Sequence, residues 1–187
     1  MFHANPNLLA LVADVMGGAP KLSVHLARHP SAMDAVLSPD FFDPPPATDD
    51  LRLELDRTLA EARNFEDVLD LCRRWANDRK LQAGVQALRG LIDWVQAGAA
   101  LSDIASVAIG GLQASVLDEF AKTHGRIAGG GWVVLAMGKM GAYELNYSSD
   151  IDLIVFYDGD VVDAPNPDQT HRAFVNLARD LVARHGG

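Results

Sequence analysis

The tripeptide Asp150-Ile151-Asp152, followed without a break by Leu153, Ile154, Val155 and Phe156, constrains this chain more than any other stretch. A short apolar run of this kind reads as a buried strand, and side chains along a strand alternate in direction. Asp150 and Asp152 therefore share one face, with Cα atoms roughly 6.6 Å apart, two rises of about 3.3 Å. Ile151 and Leu153 take the other face, and the continuous apolar run suits a sheet covered on both sides. Two hard oxygen donors where a rigid layer meets solvent suit Mg2+, which keeps waters and leaves coordination positions for phosphate oxygens.

A second apolar run, Trp132 to Met137, leads into the turn Gly138-Lys139-Met140-Gly141. Glycine admits positive φ and close approach of a ligand to the backbone, and the amides of such a turn favour anions. Lys139 adds a mobile positive charge, and the hydroxyls of Ser148 and Ser149 are donors to phosphate oxygens just before the acids. The spacing of Gly138 and Gly141 fits neither a Walker loop nor a dinucleotide fingerprint. Strand, glycine turn, short link and a second strand opening on two acids is a layout for a metal-bound nucleotide triphosphate.

The residues Ala136 to Gly141, Glu144 and Leu145, and Ser149 to Leu153 resemble a known signature. They are similar to the glutamine synthetase adenylyltransferase/adenylyl-removing enzyme family, within the DNA polymerase beta type nucleotidyltransferase superfamily, and the match runs from Trp132 to Asp158. The resemblance implies a partial nucleotidyltransferase domain over 130–187; together with the helical spacing over 1–125, which leaves room for a break at 39–48, this gives an α+β fold. It implies Mg2+-dependent movement of AMP between ATP and a tyrosine of glutamine synthetase, or phosphorolytic removal of that AMP, as a control on nitrogen assimilation. In this reading Asp150 and Asp152 are the catalytic and metal-binding pair. Gly138, Lys139, Ser148 and Ser149 bind nucleotide, and a PII-type regulatory protein is a further partner. Two copies of the domain divide the two activities in this family. Glu144 to Ile151 and Arg172 to Arg179 resemble the adenylyl-removing copy, whereas the segment from Pro6 to Pro30 resembles the stretch before the adenylylating copy, so the direction stays open.

Two departures accompany the resemblance. Tyr143 stands where the family carries a basic or small residue. The superfamily's third carboxylate lies on a later strand, and nothing between Val161 and Gly187 resembles that segment; Asp158, Asp160 and Asp163 read as loop acids beside Gly159, Pro165 and Pro167. The expectation is a fragment of a longer enzyme, weakly active or inactive by itself. The alternative is a noncatalytic helical interaction module carrying an incomplete nucleotidyltransferase half.

Composition excludes rather than identifies. A net charge of −9 and only 16 Lys and Arg argue against a nucleic-acid surface. No uninterrupted apolar run reaches the roughly 18 to 20 residues of a membrane span, and no export signal opens the chain, so the expected setting is cytoplasmic. His25 and His29 lack a third ligand for zinc. Cys72 sits among Leu69, Leu71 and Trp75 and reads as core.

Ahead of the signature, helical spacing governs. Leu8 to Met16 and Leu22 to Ala27 form two short stripes, and Asp34 to Leu37 a further turn. Pro39, Pro44, Pro45 and Pro46 mark an extended, solvated break. Three amphipathic stretches follow: Leu51, Leu55 and Leu59; Phe65 to Trp75, with Asn64 as N-cap and Asp67 at N3; and Leu81, Val85 and Leu88. Ser102 is the expected cap of a last helix carrying Ile104, Val107, Leu112, Val116 and Phe120. Arg73, Arg74, Arg79 and Lys80 read as a solvated basic face that assists nucleotide binding if the helices fold over the glycine turn. Gly129 to Gly131 link the two parts.

Overall fold

In the computed structural model, residues 39–124 and 132–157 are described, together with the isolated helical positions Ala13, Gly17, Ser23, Val24 and Ala27. The expected helices before Pro39, His25 and His29, the glycine link, the loop acids after Tyr157 and Arg172 to Arg179 lie outside this set. The described elements are α1 (Thr48–Leu59), α2 (Phe65–Leu88), α3 (Trp94–His124), β1 (Trp132–Ala136), the single turn α4 (Gly138–Gly141) and β2 (Leu153–Tyr157). They are mostly helical with a small antiparallel sheet, in keeping with an α+β class.

Asn64 caps α2 as its sequence position suggests: its side chain accepts the Asp67 N–H at 2.9 Å. Asp67 in turn accepts from the backbone N–H and side chain of Arg63. The second and third amphipathic stretches are one helix of 24 residues. Nothing between Ala76 and Lys80 breaks a helix, and Arg79 is tied to Glu54 of α1, whose carboxylate also accepts the Trp75 indole N–H at 3.0 Å.

Ser102 is not a cap. The last helix begins eight residues earlier, at Trp94, behind a reciprocal box in which Asp93 accepts the Gln96 N–H and Gln96 accepts the Asp93 N–H. Ser102 lies buried inside that helix and donates its hydroxyl to the Gly98 carbonyl at 2.8 Å, which satisfies it without ending the helix. The proline-rich break also differs in part from expectation. Pro39–Phe42 form a 3-10 turn. Phe41 is buried, and its carbonyl accepts from Gln82 and Gln86 of α2, so the start of the segment is docked, whereas residues 43–47 lie outside helix and strand, with Asp43 and Pro44 exposed, as expected of a solvated break.

Helix α3 is the spine. Its Ile104, Val107, Leu112 and Val116 pack with Leu51 and Leu55 of α1 and Cys72 and Trp75 of α2. Gly111 permits the close crossing, since a Cβ there would stand 2.6 Å from a Leu55 methyl. Cys72 is fully buried, and burial pushes its thiol up to about 12, as a core role requires. The helix Trp94–Lys122, in which an 18-residue window has mean hydropathy 1.4, is long and apolar enough by composition to cross a membrane, a test that the core helix of a soluble protein passes equally. In the fold this helix is the one around which the other helices and the sheet pack.

A second cluster joins helices to sheet: Ala100, Leu101 and Ala105 of α3 meet Met140 and Leu145, with Ala136, Ile151 and Leu153 against them. Strands β1 and β2 pair from Trp132↔Tyr157 to Ala136↔Leu153. Only one face is covered by described residues. Val134, Leu153 and Val155 turn inward, while Val133 and Phe156 are 61% and 58% exposed and Leu135 and Ile154 lie open beside them. The expectation of cover on both sides is thus not met among the described residues, because burial alternates along a run whose composition does not.

Candidate active site

The glycine turn and the acids are held together by the end of the sheet. The Met137 N–H donates to the Asp152 carbonyl at 2.8 Å, which carries the β1–β2 pairing one residue past Leu153. The chain then reverses through Gly138, at φ +54°, a left-handed conformation that glycine adopts without cost. A Cβ on Gly138 would stand 2.8 Å from Oδ2 of Asp152, so the carboxylate lies directly against the bare Cα of the turn. Gly141 is equally required, since a Cβ there would meet the Ala136 carbonyl oxygen at 2.6 Å.

Two apolar plugs fix the turn on the helices: Met140 and Leu145 are both buried against α3. Between them the backbone folds back through Tyr143 N–H to Met140 O and Glu144 N–H to Lys139 O. Gly98 of α3 makes room for this link, as a Cβ there would stand 3.0 Å from the Tyr143 carbonyl oxygen. No sequence signal marked Gly98, because a glycine inside a helix reads only as a weak point until its neighbour is known. Tyr143 itself has φ +59° and is half exposed. A left-handed backbone is uncommon for so bulky a side chain.

Exposure alternates from Ser149 onward. Ser149, Ile151, Leu153 and Val155 are partly buried, whereas Asp150, Asp152, Ile154 and Phe156 are exposed. Both carboxylates therefore issue on the open side, the side of the exposed sheet face and of Gly138. Each precedes β2 rather than lying inside it. Lys139 is exposed at the turn. Asn146 organises the approach to the acids: its side-chain oxygen accepts the Ser148 N–H at 2.9 Å, and its own N–H donates to Ser149 Oγ at 3.0 Å. The Ser149 hydroxyl keeps its proton to donate elsewhere, from the inner side of the segment; Ser148 is exposed. An asparagine two residues before a serine is a turn signal that sequence reading passed over.

The basic cluster on α2 divides. Arg79 is spent on Glu54 and Gln82, and Arg74 on the Asp70 carbonyl. Arg73 pairs with Asp70 at 2.6 Å, and Lys80 stands 5.9 Å from the centre of the Tyr147 ring, whose hydroxyl burial pushes up to about 12. Among the described residues no three His, Cys, Asp or Glu side chains converge on one point. The donor set is two exposed carboxylates on one side, with open positions around them, which fits a hard hydrated cation such as Mg2+.

The chain is similar to known proteins over most of its length. Over 164 residues the chain is 40% identical to the bifunctional glutamine synthetase adenylyltransferase/adenylyl-removing enzyme of Bradyrhizobium sp. (strain ORS 278), covering 88% of this chain and 16% of that protein. The protein of the same description from Mesorhizobium japonicum is 41% identical over 168 residues, 90% of this chain and 17% of its own length. That from Brucella melitensis biotype 1 is 35% identical over 187 residues, 98% of this chain and 19% of its own length. The chain thus spans less than a fifth of the length of these curated relatives. The family model for glutamate-ammonia ligase adenylyltransferase matches residues 9–184, and the chain belongs to that family.

Proposed function

We propose that this chain carries a nucleotidyltransferase centre that moves AMP between ATP and a tyrosine of glutamine synthetase, by adenylylation or by phosphorolytic removal, in the control of nitrogen assimilation. The relatives' names support the reaction. One observation carries the site: Asp150 and Asp152 alternate onto the same open side, and Asp152 rests against the glycine turn. In this reading residues 130–187 are part of the nucleotidyltransferase domain and 1–125 its helical neighbour, acting in the cytoplasm, with a PII-type protein as a regulatory partner.

Asp150 and Asp152 would hold Mg2+, which when bound neutralises charge on phosphate oxygens at the reacting centre. Gly138 lets the phosphates approach the backbone without a side chain in the way, and the amides that open α4 have no intrahelical acceptor. Lys139 supplies a positive charge at the same turn. Ser148 donates from the exposed side, and Ser149 holds the Asn146 turn that aims the acids. Met140 and Leu145 anchor the turn so that little reorganisation is needed when the nucleotide arrives.

The test is calorimetry of ATP binding with and without Mg2+, repeated with Asp150→Asn and Asp152→Asn, and then an assay of labelled AMP transfer with purified glutamine synthetase. Metal-dependent binding lost in both variants is the expected result. Binding indifferent to metal and to both substitutions overturns the enzyme reading in favour of a noncatalytic module.

A further inference from the structure

The turn α4 ends in a Schellman motif: the Glu144 N–H returns to the Lys139 carbonyl at 2.8 Å and the Tyr143 N–H to the Met140 carbonyl at 3.1 Å. The residue just past the cap Ala142 must then be left-handed, and glycine is its usual occupant. Here it is Tyr143, at φ +59°, among the described residues the one residue other than glycine with positive φ. A side chain at this place weakens the fold relative to glycine. Packing does not offset that, since Tyr143 is 53% exposed and its side chain has no hydrogen bond, ring stacking or cation contact among the described residues. Its backbone, by contrast, is fixed. Met140 and Leu145 are buried on either side of it, and its carbonyl lies against Gly98 of α3, where a Cβ would stand 3.0 Å away.

We infer that Tyr143 is the nucleobase platform of this centre, the ring on which the adenine of ATP stacks when its phosphates are held by Lys139 and by a metal at Asp150 and Asp152. The inference rests on the function proposed above and adds a specificity residue to it. The Ala142 N–H reaches the Gly138 carbonyl at 3.1 Å, so Tyr143 leaves the same closed loop of backbone that carries Lys139. A base joined to phosphates at that loop is presented to the exposed ring at high effective concentration. A tyrosine has few rotatable bonds to order and this one starts from a rigid backbone, so little freedom is lost on stacking. Backbone strain kept beside a ligand site, with no compensation in packing, points to a role in binding.

The experiment compares, by calorimetry, the binding of Mg2+–ATP and of Mg2+–tripolyphosphate, which has the phosphates and no base, to the parent chain, Tyr143→Phe and Tyr143→Gly. Tyr143→Gly restores the residue that the motif favours, so it should melt no lower than the parent. ATP binding by that variant is expected to weaken about five- to a hundredfold, the range of one base–aromatic stack, while tripolyphosphate binding stays within about twofold of the parent. Tyr143→Phe keeps the ring and should bind both probes as the parent does. ATP affinity unchanged in Tyr143→Gly, both probes weakened alike in that variant, or ATP affinity lost in Tyr143→Phe would each overturn the inference and leave the proposed function standing. A parent that binds neither probe overturns that function, and the platform with it.

Discussion

Replacing Gly138 by alanine tests the site through its backbone. The turn sits at φ +54°, where an L side chain costs about 1 to 2 kcal/mol relative to glycine. For a chain of this size that lowers the melting temperature by about 2 to 8 °C. The same substitution at Gly90 pays a similar backbone cost at φ +68° but its methyl meets nothing within 4 Å, either carboxylate included. At Gly138 the new methyl also stands 2.8 Å from Asp152 Oδ2, so the carboxylate has to move outward by about half an ångström to reach ordinary contact. Shifting one of two metal-binding carboxylates is expected to weaken Mg2+-dependent ATP binding about ten- to a hundredfold, the scale seen when the support of a metal ligand is lost. Calorimetry on both variants separates the effects. Matched losses of stability with binding lost only at Gly138 is the predicted pattern; normal nucleotide binding by Gly138→Ala, or equal loss at Gly90, refutes the reasoning.

Four further outcomes follow from the packing. Leu55→Ala removes a side chain at the α1–α3 crossing and should cost about 2 to 5 kcal/mol in chemical denaturation; adding Gly111→Ala, whose methyl occupies part of the vacated space, should recover some of that loss. Glu54→Ala strips the acceptor from the Trp75 indole and the Arg79 guanidinium together and should destabilise by about 1 to 3 kcal/mol. Cys72, buried and with its thiol held at about 12, should resist thiol reagents at pH 8 in the folded chain and react fully in denaturant. The hydrogen bonds from the Arg63 backbone and side chain hold the Asp67 carboxyl below its usual range. A depressed folded value means that its contribution is present above the unfolded pKa and fades as pH falls through the folded one, so Asp67→Asn should differ from the parent at neutral pH and converge with it in acid.

What could be read from the sequence follows the range of each signal. The Asn64 cap, the burial of Cys72 and the opposite facing of Ile151 and Asp152 depend on neighbours one to three residues away, and the fold agrees with each. The start of α3 was misplaced because Ser102 offers the same capping chemistry as Asp93, and only the buried Gly98 carbonyl decides which one the helix uses. The docked Phe41 and the split of the basic cluster rest on partners 25 to 45 residues distant. Continuous hydrophobicity in β2 could not reveal that Ile154 and Phe156 face outward, since alternation in burial leaves no trace when both faces are apolar. The role of Gly98 emerges only when α3 and the link at 143–145 are assembled.

The most direct measurement of the central claim is line broadening by Mn2+ in the presence of ATP, followed on backbone amides. Mn2+ replaces Mg2+ at hard oxygen sites. Broadening centred on residues 150–152 and on Gly138 and Lys139 together, and lost in Asp152→Asn, is the result this geometry predicts. Broadening that reaches only one of these two segments, or that survives the substitution unchanged, would contradict it.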